Sequence, residues 1–134
     1  MSTLHSDILD LGLKQVSDSA NWSGSHLSLV VCAGIPASRT EATTDYPTGK
    51  RITTALALTT GDVTLQAGTG GRQREVAVAA KAVTSLVGET GQDLHVALYD
   101  DTRLLVVTDS TDVDIASSGY LFVVGGWSFG IAVS

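Results

Sequence analysis

From residue 27 onward, apolar and polar residues alternate along most of the chain with a period of two. The pattern recurs in short runs such as LSLVVCA, RITTALALT, REVAVAA, LHVALY, LLVVTD and WSFGIAV. Such alternation predicts half-buried β-strands. Turn signals such as TTGD, GTGGR, GETGQD and SSGY separate the runs at short intervals. The sequence therefore predicts an all-β protein, either an antiparallel β-sandwich or a jelly-roll-like barrel, with the strand order left open.

The first fifteen residues have a different period. Leu4, Ile8 and Leu11 follow helical spacing, which predicts a short amphipathic N-terminal arm over residues 1–15. A helix this short is not stable alone, so we expect the arm to lie on its own domain or on a neighbouring subunit. We expect residues 16–134 to form a single β domain.

One internal segment lacks the alternation. Residues 33–50, AGIPASRTEATTDYPTGK, contain both prolines of the chain, and we expect a long surface loop there. Long ordered loops often contact partners. Together with Leu4, Ile8 and Leu11 in the arm, the candidate partner-contact residues are Pro36, Arg39, Tyr46 and Pro47.

Composition and charge narrow the function classes. The chain is 43% hydrophobic and 16% charged, which is too apolar for disorder. The net charge of −6 arises after residue 84, where seven acidic residues accompany only Arg103. We expect no nucleic-acid partner, because phosphate binding needs a basic surface. We also expect no membrane partner and no secretory signal, and therefore folding in a cytoplasm. The single cysteine, Cys32, excludes a disulfide framework and is expected to be a buried apolar residue.

The stretch LHVALYDDTRLLVVTDS, residues 94–110, contains a cluster of charge. Asp100 and Asp101 are adjacent, so on an extended chain their side chains would point to opposite faces and would not share a proton or a metal ion. We interpret Asp100 to Thr102 as the turn of a hairpin. His95 is expected to be a structural residue of the strand rather than a catalytic base.

Three other motifs resemble functional sites without meeting their requirements. GWSFG matches a hydrolase nucleophile pattern at Ser128, but no histidine or carboxylate follows it. GTGGR lacks the residues of a phosphate loop and is interpreted as a hairpin turn. DSTDVD, with Asp109, Asp112 and Asp114, departs from the calcium-loop spacing. We therefore expect the chain to contain no catalytic, cofactor-binding or metal-binding residue. We also expect that the protein is not an enzyme.

Several segments, in order along the chain, carry a family resemblance. They are LHSDILDLGLKQ, CAGIPASRTEATTDYPTGKR, GGRQREVAVAA, TGQDLHVALYDDTRLLVVTDST and the final WSFGIAV. In these segments the chain resembles a group of small uncharacterised proteins encoded in tailed bacteriophages and prophages. The chain departs from that group in a longer NWSGSH loop and in a Gly-rich end without an acidic, proline-bearing tail.

The resemblance implies a virion structural protein that is assembled in the host cytoplasm. Because the chain is acidic, we expect a capsid decoration or cement protein on the outer head surface. Its partners would be the major capsid protein or other virion subunits, and it would form a homo-oligomer, a trimer included. Two alternatives stay open. One is a tail, head-to-tail connector or fibre-base component. The other is a carbohydrate-binding host-recognition β-sandwich that uses Trp22, Trp127 or the tyrosines.

Overall fold

A computed structural model describes residues 12–14, 16, 26–69, 74–88 and 91–131, the last without its side chain. These residues fall into two compact units, each assembled from segments that are distant in sequence. The first unit comprises the described parts of Met1–His26, Leu58–Ala80 and Gly125–Ser134. The second comprises those of Leu27–Ala57 and Lys81–Val124.

Antiparallel strands dominate the described residues, and the helices are short. The strands are β1 (Leu27–Ala33), β2 (Leu56–Leu58), β3 (Val63–Ala67), β4 (Arg74–Val78), β5 (Lys81–Thr84), β6 (Leu94–Tyr99), β7 (Leu104–Asp109), β8 (Leu121–Val124) and β9 (Trp127–Ile131). Helix α1 covers Arg39–Thr43, a 3₁₀ turn covers Thr60–Asp62, and residues 12–14 and 16 are also helical. The predicted all-β, antiparallel fold is confirmed. The strand order of each sheet is linear within the described residues, so none closes into a barrel there.

The largest sheet has the order β2-β1-β6-β7. Its central strands pair in antiparallel register, with Cys32 opposite His95. Every residue of β6 is buried, more than the alternating pattern of a half-buried strand predicts. On one face, Ala42 of α1 packs in a core cluster with Val30, Cys32, Ala97 and Tyr99. This packing fixes the position of α1 over β1 and β6.

The prediction of a loop over residues 33–50 was wrong in its middle, where α1 forms. Ser38 caps the helix, because its hydroxyl accepts a hydrogen bond from the Glu41 amide at 3.2 Å. Glu41 in turn accepts one from the Ala37 amide at 2.5 Å. The S-x-x-E spacing of Ser38 and Glu41 is a helix-start signal that the irregular pattern around it obscured. Beyond the helix, Asp45 forms an ion pair with Arg51 at 2.6 Å.

The sheet of the first unit has the order β3-β4-β9. Ala67 lies opposite Arg74, which confirms the hairpin predicted around GTGGR, although residues 70–73 lie outside the described residues. Ser128 lies within β9, so GWSFG is a strand segment and not a nucleophile elbow. A Cβ on Gly130 would lie 2.9 Å from Glu75 Cα and closer still to the Arg74 carbonyl oxygen. Glycine at this position therefore permits the close approach of β4 to β9.

Candidate functional site

The charged turn after β6 is built around the Asp100 carboxylate. Asp100 Oδ1 accepts hydrogen bonds from the Thr102 amide at 3.0 Å and the Arg103 amide at 2.6 Å. Its Oδ2 accepts from Arg103 Nε at 2.9 Å and Nη2 at 2.6 Å. The Asp100 amide donates to the Arg103 carbonyl at 2.9 Å and closes the β6–β7 hairpin. The interpretation of this stretch as a turn is confirmed.

Opposing effects act on the pKa of Asp100. Burial alone would raise it, but the hydrogen bonds from the Arg103 side chain and from the amides of Thr102 and Arg103, with the charge of Arg103, hold it below its usual value. The carboxylate is thus ionised and fully occupied in holding the turn. This arrangement stabilises the hairpin and leaves little capacity for acid–base chemistry.

Arg39, a predicted contact residue, joins α1 to this turn. Its Nε donates to the Asp100 carbonyl oxygen at 2.7 Å, and its guanidinium lies 5.1 Å from the centre of the Tyr99 ring. Both contacts fix the start of α1 against the end of β6. Arg39 therefore has an internal structural role, whatever else it contacts.

The other predicted contact residues differ in how exposed they are to solvent. Pro36 is buried, Tyr46 is half-buried and Pro47 is exposed. The Tyr46–Pro47 peptide bond is cis. Leu4, Ile8 and Leu11 lie outside the described residues. The segment also exposes a large apolar side chain that is not among the predicted contact residues, Ile35, whose exposed fraction is 64%.

A second exposed apolar surface lies on the two-stranded β5–β8 sheet. Leu121 and Val123 alternate onto one face of β8 and are 65% and 68% exposed. Val123 lies opposite Ala82 of β5, which is also exposed, and Leu121 lies opposite Thr84. We call Leu121, Val123 and Ala82 the β8 patch. Leu121 and Val123 thus leave two large aliphatic side chains mostly exposed on the same face of this sheet.

The structure also brings together three potential metal ligands that the sequence analysis did not group. His95 Nδ1 lies 3.8 Å from Asp93 Oδ1, and His95 Nε2 lies 3.9 Å from Asp109 Oδ1. One possible ligand atom from each residue lies within 4.8 Å of the other two. The imidazole is mostly buried, whereas both carboxylates are exposed. The signal in the sequence was the D-x-H spacing of Asp93 and His95, which places both on one face of an extended chain.

The remaining members of DSTDVD do not join Asp109 in a calcium loop. Asp112 Oδ1 accepts a hydrogen bond from the Leu94 amide at 2.9 Å and so caps the start of β6. Asp114 is exposed and lies outside the cluster around His95. The three aspartates therefore have separate surroundings.

The first unit contains a buried carboxylate, Glu75, in the middle strand of its sheet. The Thr69 hydroxyl donates to Glu75 Oε1 at 2.7 Å, and this bond is the largest cause of a pKa below the usual glutamate value. Burial acts in the opposite direction, while the Thr69 amide, Ser128 and Gln66 also lower the pKa. Glu75 thus tethers the end of β3 to β4. Ser128 of GWSFG is a hydrogen-bond partner of this carboxylate, not a nucleophile beside a histidine.

The aromatic residues considered for sugar stacking are only partly accessible. Trp127 is half-buried, with its ring centre 5.6 Å from that of Phe129, and its indole nitrogen is buried without a hydrogen-bond partner among the described residues. Trp22 lies outside the described residues. Tyr120 is 40% exposed and stacks on Phe122 at 6.2 Å between ring centres.

Comparison of the chain with known protein families, with curated proteins and with solved structures found no match. In the part of the chain that the structure describes, no helix is long and apolar enough to cross a membrane.

Proposed function

We propose that this chain is a structural protein of a bacteriophage virion and that it decorates the outer surface of the head shell. The β8 patch is the observation that carries the proposal. Leu121 and Val123 expose two large aliphatic side chains on a short strand at the edge of a two-stranded sheet. Burying the exposed part of each side chain against another subunit would contribute about 1–2 kcal/mol. The exposed side chains would therefore add to the free energy of binding when the protein docks on another subunit of the particle.

The segment from residue 33 to residue 50 supports the same proposal. Exposed Ile35 and Pro47 flank a helix that is capped by Ser38 and anchored through Arg39. A surface that is already ordered loses less conformational entropy when it binds. The acidic character of the chain after residue 84 favours the outside of a shell over a surface that contacts packaged DNA.

The experiment is a mass-spectrometric count of this chain relative to the major shell protein in purified particles of the phage or prophage that encodes it. Decoration predicts a copy number comparable to that of the shell protein. A far smaller number that is still above background would favour a tail, connector or fibre-base component. Absence from the particles would refute a structural role in the virion.

Site-directed variants test whether the β8 patch makes the contact. We expect the double variant Leu121→Ser/Val123→Ser to fold normally and to lose binding when it is added to particles that lack the protein. Ala79→Ser, at an exposed residue outside the patch, is the control and should bind like wild type. If the double variant binds fully, the β8 patch is not the docking surface. Binding to host glycans that is lost in Tyr120→Ser would instead favour the carbohydrate-binding alternative.

A further inference from the structure

The cluster of Asp93, His95 and Asp109 is produced by the geometry of the β6–β7 hairpin. Asp93 and His95 are two residues apart at the start of β6, so their side chains lie on the same face. His95 pairs directly with Asp109, the last residue of β7. Cross-strand partners also share a face, so all three side chains meet at the open end of the hairpin, opposite the Asp100 turn.

The imidazole of His95 is mostly buried, and each of its ring nitrogens has an oxygen atom nearby. Its side chain is 9% exposed, yet its closest carboxylate oxygens lie at 3.8 and 3.9 Å, beyond hydrogen-bond length. The Asp93 carbonyl oxygen lies 3.4 Å from Nδ1. A backbone carbonyl near one ring nitrogen is the usual arrangement for a histidine that binds a metal through the other. The two carboxylates supply negative charge on the solvent side.

From this juxtaposition we propose that Asp93, His95 and Asp109 bind a divalent metal ion, with Zn²⁺ as the preferred ion. One imidazole and two carboxylates form a nitrogen–oxygen ligand set that suits Zn²⁺, whereas Ca²⁺ takes oxygen ligands. Metal–ligand bonds of about 2.1 Å require the three ligand atoms to approach to roughly 3–3.5 Å of one another. The exposed carboxylates can reach this spacing by side-chain rotation, and water completes the coordination.

The ion would link β6 to β7 at the open end of the hairpin, whereas Asp100 stabilises the turn at the other end. The ends of β6 and β7 already exchange one backbone bond there, from the Ser110 amide to the Leu94 carbonyl oxygen at 3.0 Å. Metal binding adds a bridge between the same two strands and therefore stabilises the second unit. This proposal departs from the expectation, based on sequence, of no metal ligand, and it does not depend on the proposed function.

Titration calorimetry of the full chain with zinc chloride, and separately with calcium chloride, tests the proposal. We expect saturable binding of one zinc ion at this site and weaker or no calcium binding. Because loss of an outer-shell partner alone costs about 10- to 100-fold in affinity, Asp93→Asn and Asp109→Asn should each weaken zinc binding by about tenfold or more. Asp114→Asn removes the same charge from an exposed position outside the cluster and should bind zinc like wild type.

Thermal unfolding gives an independent measurement on the same proteins. Zinc should raise the melting temperature of wild type and of Asp114→Asn, and at the same zinc concentration it should raise those of the two cluster variants by a smaller amount. Three outcomes would overturn the proposal. They are the absence of saturable zinc binding by wild type, zinc binding that both cluster variants retain in full, and a preference for calcium over zinc. The second outcome would show that the zinc is bound by ligands elsewhere in the chain.

Discussion

Replacing Asp100 with alanine tests directly whether the charged turn is a structural element. The substitution removes the acceptor of four hydrogen bonds, two from the amides of Thr102 and Arg103 and two from the Arg103 guanidinium. It leaves the backbone bond between residues 100 and 103 in place. The expected effect is therefore a less stable hairpin in a protein that still folds.

The magnitude follows from the exposure of the groups involved. Each amide bond contributes about 0.5–1.5 kcal/mol. The Arg103 side chain is 51% exposed, so solvent screening limits its ion pair to about 1 kcal/mol or less. The free energy of unfolding should fall by about 2 kcal/mol in Asp100→Ala. Asparagine at this position keeps an oxygen for the two amides and should cost about 1 kcal/mol, similar to Arg103→Ala.

The pH dependence provides a second prediction from the same carboxylate. The folded protein holds the pKa of Asp100 below the usual value of 3.8, so the unfolded chain takes up a proton first as the pH falls. The stability that the ionised carboxylate contributes is thus complete well above pH 3.8. It is lost as the pH falls through the lower pKa of the folded state. The difference in stability between wild type and Asp100→Asn should therefore shrink on acidification below that value.

Urea unfolding followed by circular dichroism measures these differences, and hydrogen exchange of the β6 and β7 amides localises them. The double variant Asp100→Ala/Arg103→Ala completes a thermodynamic cycle, with a coupling energy of about 1 kcal/mol or less expected for an exposed pair. A stability unchanged in Asp100→Ala would refute the reasoning. So would a loss of stability whose exchange effects lie only in β3, β4 and β9.

Three further predictions concern other parts of the fold. Gly130→Ala should destabilise the protein by about 1–3 kcal/mol in urea unfolding, because the added methyl meets the Arg74 carbonyl oxygen and backbone cannot move aside cheaply; an unchanged midpoint would contradict this. Cys32 is fully buried, and burial is the main cause that raises its pKa to about 12. It should react with a thiol reagent only after unfolding, and rapid reaction in the native protein would be contrary evidence. Arg39→Ala should lower the free energy of unfolding by about 1–2 kcal/mol through loss of its bond to the Asp100 carbonyl oxygen, whereas a partner-contact role alone predicts no change.

The turn at Asp100 could be predicted from the sequence because the residues that close it, Asp100 and Arg103, are only three positions apart. The close approach at Gly130 also has a local sign in the sequence, because a glycine within a strand often marks a place where another backbone comes close. Helix α1 carried an equally local signal in Ser38 and Glu41, but the surrounding segment lacked a helical apolar stripe. Only Ala42 of the helix is buried, so hydrophobic periodicity could not reveal it.

The cluster around His95 could not be predicted because its formation depends on strand register. The pairing of β6 with β7 shifts between Leu98 and Tyr99, where Tyr99 faces Leu104 but Leu98 faces Val106. Leu105 is the extra residue of this bulge. Without the bulge, the register set at Tyr99 would continue along the hairpin, and His95 would face Thr108.

The bulge thus decides on which face of the sheet Asp109 lies. A shift of one residue in a strand exchanges its two faces, so Asp109 would otherwise point away from His95. Bulges redirect side chains in this way, and they occur often beside functional sites. The bulge at Leu105 brings a carboxylate beside a mostly buried imidazole at the open end of the hairpin. The β6–β7 hairpin therefore contains a turn that is encoded by residues close together in the sequence. It also contains a ligand cluster that forms only because one extra residue, Leu105, interrupts the pairing of β6 with β7.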